Sequence, residues 1–223
     1  NPIVSRSVVG EGYVSQLNQS FATTLKPAVA VLDFYTQFAD PARPNYSWNR
    51  SMPEARQAFI RGQTVFYFGY ASEYAMLARE NPHLAFDVAL PSQAAETNRP
   101  KLVLGRLLSV AAVNGGSKVS AAASAALALA TGRSAEALSA ALFLPPARRD
   151  LLARGASDPT MALFYRAALI TRAWFDPDPA ATKKIFETMV ESVVTGRLRA
   201  TEAVAAADRE LAALLERIYG SNQ

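Results

Sequence analysis

Apolar positions along this chain change period several times, and each change marks an expected element. Between Pro27 and Phe38, the residues Val31, Leu32, Tyr35 and Phe38 fall on one helical face. Pro27 suits the first turn, where its missing N–H would have no partner anyway. Asp40-Pro41 ends this helix, and "PARPNYSWN" reads as a loop that exposes Tyr46 and Trp48. Ser51-Met52-Pro53-Glu54 has the form of a capping box: the hydroxyl accepts a first-turn amide while the glutamate reaches back to the cap. The short helix it starts ends at Gly62, which tolerates positive φ. "TVFYF", residues 64–68, is apolar on both alternations, as a strand covered on both faces should be. Gly69-Tyr70 then turns the chain into a helix with Ser72 and Glu73 in its first turn, stopped by Asn81-Pro82. "LAFDVAL" and "LVLGRLLSVAAV" read as two further strands.

After Asn114 the pattern is almost wholly helical. Helices are expected from Lys118 to Ala130, from Ser134 to Leu142, briefly after "LPPARRD", and from Asp158-Pro159 to Arg172. Asp178 caps another, Pro179 to Thr195, with a face of Ile185, Phe186, Met189, Val190 and Val193. The last, Thr201 to Tyr219, should bury Val204, Ala207, Leu211, Leu214, Leu215 and Ile218. Residues 1–24 are weakly patterned and read as loop. Strands separated by helices, followed by a helical half, indicate an α/β fold whose sheet is small for its length.

Composition narrows the chemistry. The chain has 223 residues and no cysteine, which removes disulfides, thiolate metal sites and cysteine nucleophiles. Its 23 Lys+Arg against 19 Asp+Glu give a net charge of +4. These charges are scattered, with Arg148-Arg149 and nearby Arg154 as the tightest basic cluster. No basic stripe with interleaved aromatics is present, so nucleic acid is not an expected partner. No apolar run reaches the length of about 18 residues that a membrane span needs. "SAAASAALALATG" is interrupted by serine and glycine and reads as an Ala-rich packed helix.

Enzyme signatures are thin. The single histidine, His83, stands at a strand entrance without an evident triad partner. No cluster of residues has metal-ligand spacing, and no cofactor is expected. Asn114-Gly115-Gly116-Ser117 lacks the Lys-Ser/Thr pair of a phosphate loop and reads as a turn. Asp176 and Asp178 allow two readings. They could be paired carboxylates of a hydrolase, as in glycoside hydrolysis, or a capped helix start in which Asp178 precedes Pro179. Capping requires fewer assumptions. The aromatics Trp48, Tyr70 and the Trp174-Phe175 pair lie in loops or turns, whereas Tyr67 and Phe68 are expected in the core. Loop aromatics serve either as half-buried plugs or as platforms for the flat apolar face of a sugar ring.

The ordered motifs resemble extracellular solute-binding proteins of family 1, the maltose-binding-protein-like sugar receptors of ABC importers. The resemblance rests on "EARQAFIRGQTVFYFGYASEYAML", "ENPHLAFDV" and "ALPSQ", with matching positions Phe59, Gly62-Gln63, Gly69-Tyr70, Asn81-Pro82 and Pro91. "VLGRLLSVAAV", "ALFLPPARRDLL" and "TGRLRATEAVAAADREL" resemble its later strand, turn and C-terminal helices. Such receptors are considerably longer, so the resemblance implies a C-terminal portion of an incomplete two-lobe, type II periplasmic-binding-protein fold. It implies that residues 1–100 and 159–223 build the second lobe, while 101–158 cross the hinge and contribute to the first. A cleft between lobes would be lined by Trp48, Gly69, Tyr70, Ser72, Arg106 and Trp174. The implied partners are a small solute, a carbohydrate by resemblance, and a permease at the periplasmic or extracellular face of the membrane. Any anchor would belong to a missing N-terminal part. The alternative from another class is a carboxylate-dependent hydrolase using Asp176 or Asp178.

Overall fold

In the computed structural model, residues 3–7, 12–20, 26–92, 103–106 and 119–220 are described. The Gly115-Gly116 turn and most of the strand expected over 102–113 lie outside them. The architecture is mostly helical, with two small sheets of short strands.

Helical period is strongest at the C-terminus, and the best-buried core follows from it. Helix α9, Ala200–Tyr219, begins where the Glu202 carboxylate accepts the Arg199 backbone N–H at 2.9 Å. Its inward stripe is almost completely covered: Val204 and Leu211 are 0% exposed, and Leu215 1%. Helix α8, Pro179–Val194, adds Ile185, and strand β1, Val4–Arg6, adds Val4 to the same cluster. Helix α1, Pro27–Thr36, places Leu32 against Ala200, Ala203 and Val204. β1 pairs antiparallel with β2, Tyr13–Ser15, with Ser5 opposite Val14. The hairpin is tied to α9 where the Ser15 hydroxyl donates to Asp208 at 2.6 Å. All of this belongs to one compact unit, Asn1–Met52 with Trp174–Gln223.

A second compact unit is Pro53–Ala173. It contains α2 (Ala55–Ile60), α3 (Tyr74–Glu80), β3 (Val103–Leu104), α4 (Val119–Ala130), α5 (Gly132–Ala141), α6 (Arg149–Leu152), α7 (Pro159–Ile170) and β4 (Thr171–Arg172). β3 and β4 pair in parallel, Val103 with Thr171 and Leu104 with Arg172. The unit's buried residues include Ala58, Ile60, Leu77, Leu151 and Phe164, flanked by a chain of half-buried rings. Phe59 meets Phe86, Phe86 meets Tyr74, and Tyr74 stacks on Phe143 at 5.3 Å and meets Phe164 edge-on.

Several expectations are corrected. Strands β1 and β2 pair where a loop was expected over residues 1–24, because two three-residue strands are too short to show a period. The cap of α2 is Glu54, which accepts the Gln57 N–H, and not Ser51. Residues 64–68 and 84–90 form no ladder, and Val65, Phe66 and Phe68 are 83–85% exposed. Phe68 is therefore not core. Burial nonetheless alternates along 84–90 as in a strand, although the segment pairs with no described neighbour. On α1 only Leu32 is buried, while Val31 and Tyr35 face outward. The Ala-rich α4 buries nothing among the described residues. On α9 Ile218 is exposed, and the neighbouring Tyr219 packs on the core in its place.

Leu211 has no solvent contact and belongs to the Val4–Ile185–Leu215 cluster, so Leu211→Ala should destabilise the chain by about 2–5 kcal/mol. Urea unfolding measures this, and a loss below about 1 kcal/mol would contradict the assigned core.

Candidate functional site

One carboxylate organises the turn that leads into α3. The chain leaves α2 through Gly62, at φ +68°, and continues to Tyr67, whose ring stacks on Phe59 at 5.7 Å. The Tyr67 hydroxyl donates to Glu73 Oε1 at 2.9 Å, and the Tyr70 backbone N–H donates to Glu73 Oε2 at 2.7 Å. The Glu73 N–H returns a bond to the Tyr70 carbonyl at 2.9 Å. Gly69 lies inside this knot. A Cβ there would stand 2.6 Å from Tyr67 Cε1 and 2.8 Å from Glu73 Oε2, so a side chain has no room. Arg56 lies 3.9 Å from Glu73 and 3.8 Å from Glu54; both separations are long and Glu54 is exposed, so these pairs contribute little.

The knot presents Tyr70 outward. Tyr70 is 39% exposed, and the Arg106 guanidinium lies over its ring, 5.4 Å from the centroid. Arg106 is delivered by the short parallel sheet. Gly105 N–H donates to the Arg172 carbonyl at 3.1 Å, one step beyond the β3–β4 ladder. A Cβ on Gly105 would fall 2.2 Å from Thr171 Cγ2, so glycine permits this close approach. Ser72 is exposed in the 3-10 turn Ala71–Glu73. Gly69, Tyr70, Ser72 and Arg106 thus belong to one unit, and the structure brings Tyr70 and Arg106 into contact.

Trp48 and Trp174 belong to the other unit. Trp48 is half-buried and tilted against Tyr35, with centroids 5.3 Å apart. Its loop is tied to the end of the first helical segment, since the Ser47 and Trp48 amides both donate to the Phe38 carbonyl. Its indole Nε1 is buried without a partner among the described residues. Trp174 is half-buried too, packed on the Val4–Ile185–Leu211 cluster and edge-on to Phe186. Phe175 stacks on Tyr13 at 4.2 Å and 12°. The corner carrying both residues is thus fastened to core and hairpin.

Asp176 and Asp178 are engaged with α8. Asp178 Oδ1 accepts from the Ala180 and Ala181 amides at 3.0 and 3.1 Å. Asp176 Oδ1 accepts from the Thr182 hydroxyl at 2.8 Å, and Thr182 is buried. His83 is exposed. Among the described residues no group of His, Cys, Asp or Glu could hold a metal ion, and no helix is long and apolar enough to cross a membrane. An open groove of about 420 Å³ runs along α8 and α9, lined in part by Met189, Leu198, Arg197 and Glu210. None of the residues nominated from sequence lines it.

Glu73 and Tyr67 were not nominated from sequence as site residues. A usable signal was the spacing Tyr70-x-x-Glu73, a glutamate at the third helical position that reaches back to the preceding backbone N–H.

Burial, the hydrogen bond to Glu73 and that residue's charge together push the Tyr67 hydroxyl up to about 12. The folded chain therefore holds this proton more tightly than the unfolded chain. The resulting stabilisation is complete below about pH 10 and disappears as pH rises towards 12. In an NMR titration of ring-labelled tyrosines, one of the eight should ionise last, and Glu73→Gln should lower its pKa. All eight titrating together near pH 10 would contradict this arrangement.

No protein-family model matches the chain, and no curated protein matches it.

Proposed function

We propose that this chain is the substrate-binding component of an ABC importer, capturing a small solute, a carbohydrate, for delivery to a membrane permease. The observation that carries this reading is the Tyr70 ring: partly exposed, fixed by Glu73 at its own backbone, and faced by Arg106. A ring held in place presents a flat apolar face at little entropic cost, and sugar C–H faces stack on such surfaces. The surrounding donors, the Arg106 guanidinium and the Ser72 hydroxyl, are suited to ligand hydroxyls.

The two-lobe type II topology is part of the same proposal. In that topology residues 64–68 are a sheet strand with neighbours, an arrangement that would cover Val65, Phe66 and Phe68 and pair their backbone. Lobe closure on the ligand would signal occupancy to the permease at the periplasmic or extracellular face. No bond is made or broken, and no cofactor takes part.

Calorimetric titration of the chain with a panel of mono- and disaccharides tests the reading. At least one should bind, and Tyr70→Ala should weaken that binding by about 1–3 kcal/mol. No binding across the panel, or an affinity indifferent to Tyr70→Ala, would contradict it.

A further inference from the structure

We infer that the solute taken at the Tyr70–Arg106 pair is an acid, a sugar bearing a carboxylate or phosphate, and not a neutral carbohydrate. The inference rests on the proposed solute-binding role and specifies its substrate class. Arg106 is exposed, and no carboxylate among the described residues pairs with it. Nearby Glu73 does not supply the missing charge. Its two oxygens are taken by the Tyr67 hydroxyl and the Tyr70 amide, and its ion-pair partner is Arg56.

The guanidinium carbon lies 5.4 Å from the Tyr70 centroid and the side chain is exposed, so its fork of N–H donors is accessible to a ligand. That fork matches the two oxygens of a carboxylate or phosphate. Electrostatics decides between ligand classes. A solute settling over Tyr70 removes water from Arg106. A neutral sugar would return only hydroxyl contacts to a desolvated cation, whereas an anionic one compensates the charge itself. The ring gives the sugar a stacking face, and the arginine beside it sets the sign of the substituent.

Matched pairs of probes test this by calorimetry at fixed ionic strength: galacturonate against galactose, and glucose 6-phosphate against glucose. At least one acid should bind 10-fold or more tightly than its neutral partner and weaken as salt is raised. Which acid does so separates carboxylate from phosphate. Arg106→Gln should lower the acid's affinity 10-fold or more and the neutral sugar's by much less, while Arg106→Lys keeps the charge and retains part of the acid's affinity. Neutral sugars binding as well as their acids would overturn the assignment and leave the solute-binding reading standing. An acid that binds equally well to Arg106→Gln would overturn it too. Silence from all four probes would overturn the acid assignment, and the wider panel of neutral sugars then judges the binding reading on its own.

Discussion

The Glu73 carboxylate is the constraint on which the site depends. It takes one bond from a side chain three residues before Tyr70 and another from the backbone of Tyr70 itself. A single acidic group thereby closes a loop, starts a helix and sets the direction of an aromatic ring. The consequence for Gly69 is steric: with tyrosine ring and carboxylate both folded over it, only hydrogen fits at its Cα. The consequence for Tyr67 is electrostatic, since its phenol serves as donor to an anion and must stay protonated to do so. Tyr70 and Arg106 then meet because the close β3–β4 pairing brings the arginine to the ring.

The two units gain order in different ways. In the one holding α9, a continuous aliphatic stripe is covered by α8, α1 and the hairpin, and hydrogen bonds such as Ser15 to Asp208 fix the register of hairpin on helix. In the other, ring contacts linking Phe59, Phe86, Tyr74, Phe143 and Phe164 accompany a smaller set of buried aliphatics, Ile60, Leu77 and Leu151. Broad, rigid rings immobilise neighbouring loops with few aliphatic contacts, which suits a segment that must hold a turn in place.

Helices were largely legible in the sequence. The stripe of α9, the Asp178 cap of α8 and the Asp158 cap of α7 all depend on residues close in the chain, and each is where local chemistry puts it. Strands were legible only in composition. "TVFYF" carries the composition of a buried strand, yet burial and pairing depend on neighbours that the segment itself does not specify. The same limit applies to the aromatics. Trp174 and Tyr70 both stand at corners, but one is packed on Ile185 and Phe186 while the other is partly free beside an arginine. Sequence spacing marks both as corners and cannot say which has a neighbour ready to cover it. Glu73 was visible as a helix-start residue, whereas its second bond, to Tyr67, follows from the turn that brings the phenol back.

The central claim is that Glu73 holds the Tyr70 turn in one conformation. Hydrogen exchange at the Tyr70 amide, followed by NMR in the unaltered chain and in Glu73→Ala, measures this most directly. The account predicts that this amide exchanges more slowly than those of Gly69 and Ser72. It also predicts that the substitution abolishes the protection while amides in the α9 core remain protected. A Tyr70 amide that exchanges as freely as its neighbours in both proteins would contradict it.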